Sequence, residues 1–207
     1  MIYEPAEDSF LLAKAVKKYS PGKSVLDMGS GSGIQAETAL SAKAKSVLSA
    51  DIDKETIKYL KSKNIRAVQS DLFSNIKNTM DRHSCFGCSR CNLGLKAKVF
   101  VKHLDIKGKF DLIIFNPPYL PLDSREDIES RKATTGGKKG DEIILKFLKH
   151  AKSHLNKKGI ILLLLSSLTP RNKINSLLKE KSLSKKVIAK QGLFMEKLEV
   201  WEIRKDI

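Results

Sequence analysis

Asn116-Pro117-Pro118-Tyr119 follows the apolar run Phe110 to Phe115 and combines residue types suited to gripping a planar NH2 group. An amide or aryl amine has a delocalised nitrogen lone pair. It becomes a useful nucleophile only when both N–H bonds are held and the lone pair is aimed at an electrophile. The Asn116 side-chain carbonyl supplies one acceptor and the Pro117 main-chain carbonyl a second, because consecutive prolines fix φ and remove donors, leaving a stiff turn of acceptors. Pro118 completes that turn and Tyr119 offers a flat face. The plainer alternative is that Asn-Pro-Pro only terminates a strand.

A second group of residues lies upstream. Ser24 to Met28 reads as a short buried strand running into Gly29-Ser30-Gly31-Ser32-Gly33, followed by a helical stretch from Ile34 to Ala42. Glycines at such a turn let backbone approach a ligand and aim helix N-terminal amides at it. The spacing is GxGxG, not the dinucleotide GxGxxG, so a compact ligand is expected across Gly29, Gly31 and Gly33 rather than a pyrophosphate. Ser46 to Ala50 is a second strand ending at Asp51, placed to accept ribose hydroxyls. A third strand, Ile65 to Ser70, ends at Asp71, placed to accept from an adenine amine. Acids at successive strand ends beside this loop fit an adenosine-bearing ligand without phosphates, as S-adenosylmethionine is.

The elements that must position these residues alternate strand with helix along 207 residues, which argues for one α/β domain with a parallel sheet. Pro5 to Lys18, Asp53 to Lys63, Asp141 to Leu155 and Ile174 to Lys181 carry helical spacing, with Ala6-Glu7-Asp8-Ser9 suited to a helix start. Gly159 to Ser166 is a fifth strand; Val187 to Lys190 and Leu198 to Arg204 form a final antiparallel pair. The turn at Asn116 then sits at the carboxyl end of the strand Asp111 to Phe115, beside the glycine loop, where open α/β sheets bind ligands. The longest apolar run, Ile160 to Leu165, is too short to span a bilayer, and Met1 to Phe10 does not resemble a secretory signal, so a cytoplasmic protein without a membrane partner is expected.

Net charge is +16, which raises a nucleic-acid partner; the alternative is that lysine-rich helical stretches such as Asn172 to Lys190 are solvated faces, and no arginine cluster interleaved with aromatics is present. His150 and His154 lack a third ligand beside them and are expected at the surface. About 30 residues, 77–107, separate the third strand from the fourth, far more than a usual connection, and they hold every cysteine of the chain. Cys85, Cys88 and Cys91 have metal-ligand spacing, with His83 or His103 as a fourth zinc ligand; reduced thiols on a loop are the alternative.

Tyr3-Glu4-Pro5-Ala6-Glu7-Asp8-Ser9, the stretch Val25 to Gly33, the strand-end acids, Phe115 to Tyr119 and the Gly136-Gly137-x-x-Gly140 loop together resemble the HemK family of protein glutamine methyltransferases, in the archaeal and eukaryotic branch that modifies class I peptide release factors. The resemblance covers nearly the whole chain outside the cysteine insertion. It implies a class I S-adenosylmethionine-dependent, Rossmann-like fold: a mainly parallel seven-stranded sheet with an antiparallel C-terminal strand and helices on both faces. Ser9, Asp27 and Gly29 would hold the methionine portion of the cofactor, Asp51 its ribose, and Asp71 with Leu72 its adenine. Asn116 and Pro117 would grip the target amide. The implied reaction is N5-methylation of a glutamine in a Gly-Gly-Gln loop. Adenine amines in RNA or DNA and protein lysine remain alternative acceptors, and a catalytically idle cofactor-binding module is a third reading. A small zinc-binding activator forming a heterodimer is implied as partner, covering the third strand near Ile65 to Val68.

Overall fold

A computed structural model describes residues 4–76, 108–122 and 134–206. The residues 77–107, with all the cysteines, His83 and His103, lie outside the described residues, as does the proposed boundary of an insertion.

Seven strands form one sheet: β1 (Ser24–Met28), β2 (Ser46–Asp51), β3 (Ala67–Gln69), β4 (Phe110–Phe115), β5 (Leu155–Ser166), β6 (Leu183–Leu193) and β7 (Glu196–Lys205), in the order β3-β2-β1-β4-β5-β7-β6. The first five are parallel; β7 runs antiparallel to both β5 and β6. The helices are α1 (Glu7–Tyr19), α2 (Ile34–Ser41), α3 (Lys54–Ser62), α4 (Glu142–Ala151) and α5 (Asn172–Glu180).

Both faces of the sheet are covered. On one face Val25, Val47, Leu112, Ile114, Leu162 and Val200 meet Leu12 and Val16 of α1, Ala36 of α2 and Leu60 of α3. On the other, Leu26, Leu48, Ile113, Leu163 and Trp201 meet Ile144, Phe147 and Leu148 of α4 and Leu177 of α5. Successive strand residues point to opposite faces, and here each face has its own apolar layer, so β4 and β5 carry consecutive apolar residues, Leu112 to Phe115 and Ile160 to Leu165, instead of an alternating pattern.

Several boundaries differ from expectation. The third strand is three residues, Ala67–Gln69, and β5 begins at Leu155, where a one-turn 3-10 helix (Lys152–His154) ends α4. His154 is buried, not at the surface: Nδ1 lies 2.7 Å from the Gly108 carbonyl oxygen and the ring stacks on Phe73 at 4.4 Å. The tightened turn redirects it inward from the helical face that the i, i+4 spacing with His150 had suggested. The lysine-rich stretch 172–190 is also not one helix, because α5 stops at Glu180 and β6 starts at Leu183. β6 is an edge strand, and Lys185, Lys186 and Lys190 are exposed along it, as an edge protected against strand addition requires.

Candidate active site

The carboxyl ends of β1, β2 and β4 bring the glycine loop, Asp51 and the Asn116 turn together. Asn116 Nδ2 donates to Asp8 Oδ2 at 3.1 Å and lies 3.5 Å from Ser9 Oγ. A carboxylate only accepts, so Asp8 fixes which end of the Asn116 amide faces it. The other end, Oδ1, is then a buried carbonyl oxygen with no hydrogen-bond partner among the described residues. Burying such an acceptor without a donor costs free energy on the order of 1–3 kcal/mol, which a ligand N–H would recover. Asp8 and Ser9, both buried, open α1, and the Ser9 carbonyl accepts from Gln35 Nε2 at 2.9 Å, tying this helix start to α2.

The turn itself is braced from below. Pro117 is buried, Pro118 is half-buried, and Tyr119 packs, half-buried, against both apolar layers. Leu120 N donates to Thr134 O at 2.9 Å and Gly136 N to Leu120 O at 2.9 Å, so residues 134–140 run alongside the turn. A Cβ on Gly136 would stand 2.6 Å from the Pro118 carbonyl oxygen, and one on Gly140 2.5 Å from that of Tyr119. Only glycine permits that approach, which gives the Gly-Gly-x-x-Gly spacing its physical meaning.

On the cofactor side, Gly29, Gly31 and Gly33 all have positive φ. Gly29 N donates to Ala50 O, and Gly31 N to Asp51 Oδ2 at 3.0 Å, which locks the loop onto the end of β2. Gly33 has a packing reason as well: a Cβ there would lie 2.6 Å from Leu60 Cδ2, where α2 meets α3. Asp27 is fully buried and its Oδ2 has no partner among the described residues. Burial, reinforced by the nearby Asp51 charge, pushes its carboxyl up to about 7. Asp71 is half-exposed and pairs with Lys146 Nζ of α4 at 2.7 Å, while Leu72 beside it adopts a left-handed φ and packs on the core.

Taken together, these groups make an acceptor-rich cleft edge: one unpartnered carboxyl oxygen at Asp27 and carboxylates at Asp51 and Asp71, around a glycine loop whose own Gly29 and Gly31 amides tie it to the end of β2. A ligand that carries cationic centres and a pair of hydroxyls satisfies that acceptor set, so the residues present fit S-adenosylmethionine. Asp8 was not singled out from the sequence as a site residue. Its signal was there, an acid at the helix start within the Tyr3 to Ser9 run, but helix-dipole chemistry explains such an acid equally well. Among the described residues no group of three or more His, Cys, Asp or Glu is placed to hold a metal ion, and no helix there is long and apolar enough to cross a membrane.

The Eco57I restriction-modification methylase family model matches residues 28–197. A Methanocaldococcus jannaschii protein assigned as a protein N5-glutamine methyltransferase is 32% identical, over 96% of this chain and 89% of its own. The eRF1 methyltransferase catalytic subunit mtq2 of Schizosaccharomyces pombe is 30% identical over 85% of this chain and 76% of its own. Among solved structures, the E. cuniculi Mtq2–Trm112 complex responsible for methylation of the eRF1 translation termination factor covers 99% of each chain with a TM-score of 0.68 at 21% identity, a likeness of fold. Fold and site thus define a class I S-adenosylmethionine-dependent methyltransferase. Within that class the chain belongs to the HemK family of protein glutamine methyltransferases, in its archaeal and eukaryotic branch.

Proposed function

We propose that this chain methylates the side-chain nitrogen of a glutamine, the one in the Gly-Gly-Gln loop of a class I peptide release factor. The observation that carries this reading is the buried, unpartnered Asn116 Oδ1, held in its orientation by Asp8. Two relatives support the substrate: one assigned as a glutamine methyltransferase, one named for eRF1.

Ser9, Asp27 and Gly29 would hold the methionine portion of S-adenosylmethionine, Asp51 its ribose and Asp71 with Leu72 its adenine. When bound, the cofactor supplies a methyl group on a sulfonium, an electrophile that needs no activating acid. Asn116 Oδ1 accepts one N–H of the target amide and the Pro117 carbonyl the other, so the nitrogen lone pair points out of the plane these acceptors define. Tyr119 packs against the planar group. The nitrogen that gains methyl carries the positive charge after transfer and then sheds one of its two protons, which this charge has made acidic. Orientation of this kind supplies several kcal/mol of barrier lowering. Adenine amines present the same planar NH2, so the grip alone does not choose between them; the two relatives favour glutamine.

The matched structure is a complex of Mtq2 with Trm112, and we take a small activator subunit to cover the short edge strand β3 of this chain, near residues 65–68. Zinc at Cys85, Cys88 and Cys91 remains a proposal from spacing alone.

The test is transfer of labelled methyl into purified release factor, and separately into RNA and DNA, with the activator supplied in parallel reactions, followed by nuclease and protease digestion. Label that survives nuclease, is released by protease and maps by mass spectrometry to the glutamine of Gly-Gly-Gln is the expected result. Label on nucleic acid alone, or on lysine, overturns the assignment.

A further inference from the structure

The turn between β6 and β7 has only two residues, Phe194 and Met195, because Leu193 pairs with Glu196. Two-residue hairpin turns favour Gly, Asn or Asp, since their central residues need a positive φ that large side chains resist. Met195 nevertheless sits at φ 60. Phe194 is 93% exposed and Met195 84%, so neither side chain contributes to the core. Two large apolar groups held in water, one of them in strained backbone, serve neither folding nor solubility, and exposed apolar clusters mark interaction sites.

The place of this tip in the sheet fixes what meets it. Leu198 of β7 pairs with Ser166 at the carboxyl end of β5, so the tip projects from the same sheet edge as Asn116. With strands about 4.8 Å apart and a rise of about 3.3 Å per residue, the tip lies about 12 Å across the sheet from the Asn116 turn and about 16 Å beyond it along the strands, because Asn116 is level with Val200, so the separation is about 20 Å. A run of contacts joins the two. Thr169 Oγ1 donates to the Tyr119 carbonyl at 3.4 Å, and two residues earlier Ser167 N donates to Lys197 O at 2.8 Å while Lys197 N donates to Ser167 Oγ at 3.0 Å. That connection carries a third exposed apolar side chain, Leu168, and Leu122 just beyond the turn is a fourth; each is 49% exposed. Exposed Lys197 stands beside the hairpin tip, while Lys190 further along β6 pairs with Glu199 at 3.5 Å.

We propose that Phe194 and Met195, continued by Leu168 and Leu122, form a docking rim for the protein that carries the target amide. The inference rests on the function proposed above, and it adds that the target is recognised as a folded surface, apolar at its centre and acidic around it, as well as through its glutamine. A protein whose glutamine sits at Asn116 must bring its neighbouring surface across this edge, because the rim is continuous with the turn. Lys197 supplies a cation for an acidic surround, and burial of the tip would compensate the strain at Met195.

The experiment replaces the tip by the pair the turn favours, Phe194→Asn with Met195→Gly, so that the fold is retained or strengthened. Steady-state methylation of intact release factor, cofactor affinity by calorimetry and Tm are measured for parent and variant. Expected is a rise in KM for release factor of tenfold or more, with kcat and cofactor affinity within twofold of the parent and Tm no lower. Unchanged KM overturns the rim. So does a concentration-dependent dimer of the parent that the variant abolishes, which assigns the tip to a second copy, or a loss confined to RNA binding. A parent chain, with its activator, that methylates no release factor overturns the function itself and this inference with it, and is seen before the variant is compared.

Discussion

Two buried carboxylates at the residue scale have opposite tasks. Asp8 makes a hydrogen bond to Asn116 and so aims an acceptor at the substrate side. Asp8→Ala should lower kcat by roughly ten- to a hundredfold, the equivalent of a lost charge-assisted hydrogen bond of about 1.5–3 kcal/mol, with cofactor affinity little changed; single-turnover kinetics on saturated enzyme checks it. Asp27 lacks a partner for Oδ2 and its carboxyl is raised from 3.8 to about 7 by burial. The folded protein therefore binds this proton more tightly than the unfolded chain. The associated stability is fully present below pH about 4, is lost as pH rises towards 7, and is constant beyond, a span on the order of 4 kcal/mol. Asp27→Asn should flatten that part of the curve relative to the parent in urea unfolding at several pH values, while a parallel fall in both proteins would assign the slope elsewhere. A cationic cofactor placed beside Asp27 should also release a proton near pH 6 to 7, read by calorimetry in buffers of different ionisation enthalpy.

Elements bring these residues together by close backbone approach, most tightly where the loop 134–140 lies on the Asn116 turn. Gly140→Ala puts a Cβ 2.5 Å from the Tyr119 carbonyl at φ 84, so it should cost roughly 1–3 kcal/mol and lower Tm by several degrees. A thermal scan measures it, and an unchanged Tm with unchanged activity would mean the loop does not brace the turn. The glycine spacing was visible in the sequence, but its purpose was not, because the residues it meets are about 20 positions away. The same limit applies elsewhere. β1, β4 and the two loops at their carboxyl ends were legible because apolar runs ending in Gly or Asn-Pro are local signals. β7 was only partly legible, since an interior strand with Leu198 and Val200 on one face and Trp201 and Ile203 on the other has no alternation to read. β6 was mostly missed because lysines on an exposed edge mimic a solvated helix. His154 was misplaced for want of the 3-10 turn that follows α4.

For the whole molecule, the doubly covered sheet divides along one edge: β1, β2 and β3 present the glycine loop and the carboxylates, and β4, β5 and the β6–β7 hairpin present the Asn116 turn and exposed apolar side chains. The cysteine stretch lies outside the described residues, and we propose that it belongs to neither of these groups. Replacing Cys85, Cys88 and Cys91 together by serine should leave cofactor affinity within a few-fold of the parent, and elemental analysis of protein purified without chelator should find zinc in the parent only, if the spacing holds a metal. A triple variant unable to bind cofactor would place these residues in the site instead. The proposed grip on the target amide is tested by Asn116→Ala. Loss of an acceptor used mainly in the transition state lowers turnover and spares binding, by about 2.7–4 kcal/mol or more, that is, a hundredfold or greater. Methylated Gly-Gly-Gln peptide is quantified by mass spectrometry against time, alongside calorimetric cofactor affinity, for the parent, Asn116→Ala and Asn116→Asp. The result expected is near-parent cofactor affinity in all three, no detectable methylation with alanine and residual methylation with aspartate; release factor methylated at the parent rate by Asn116→Ala would contradict it and leave the Asn-Pro-Pro turn a purely structural strand end.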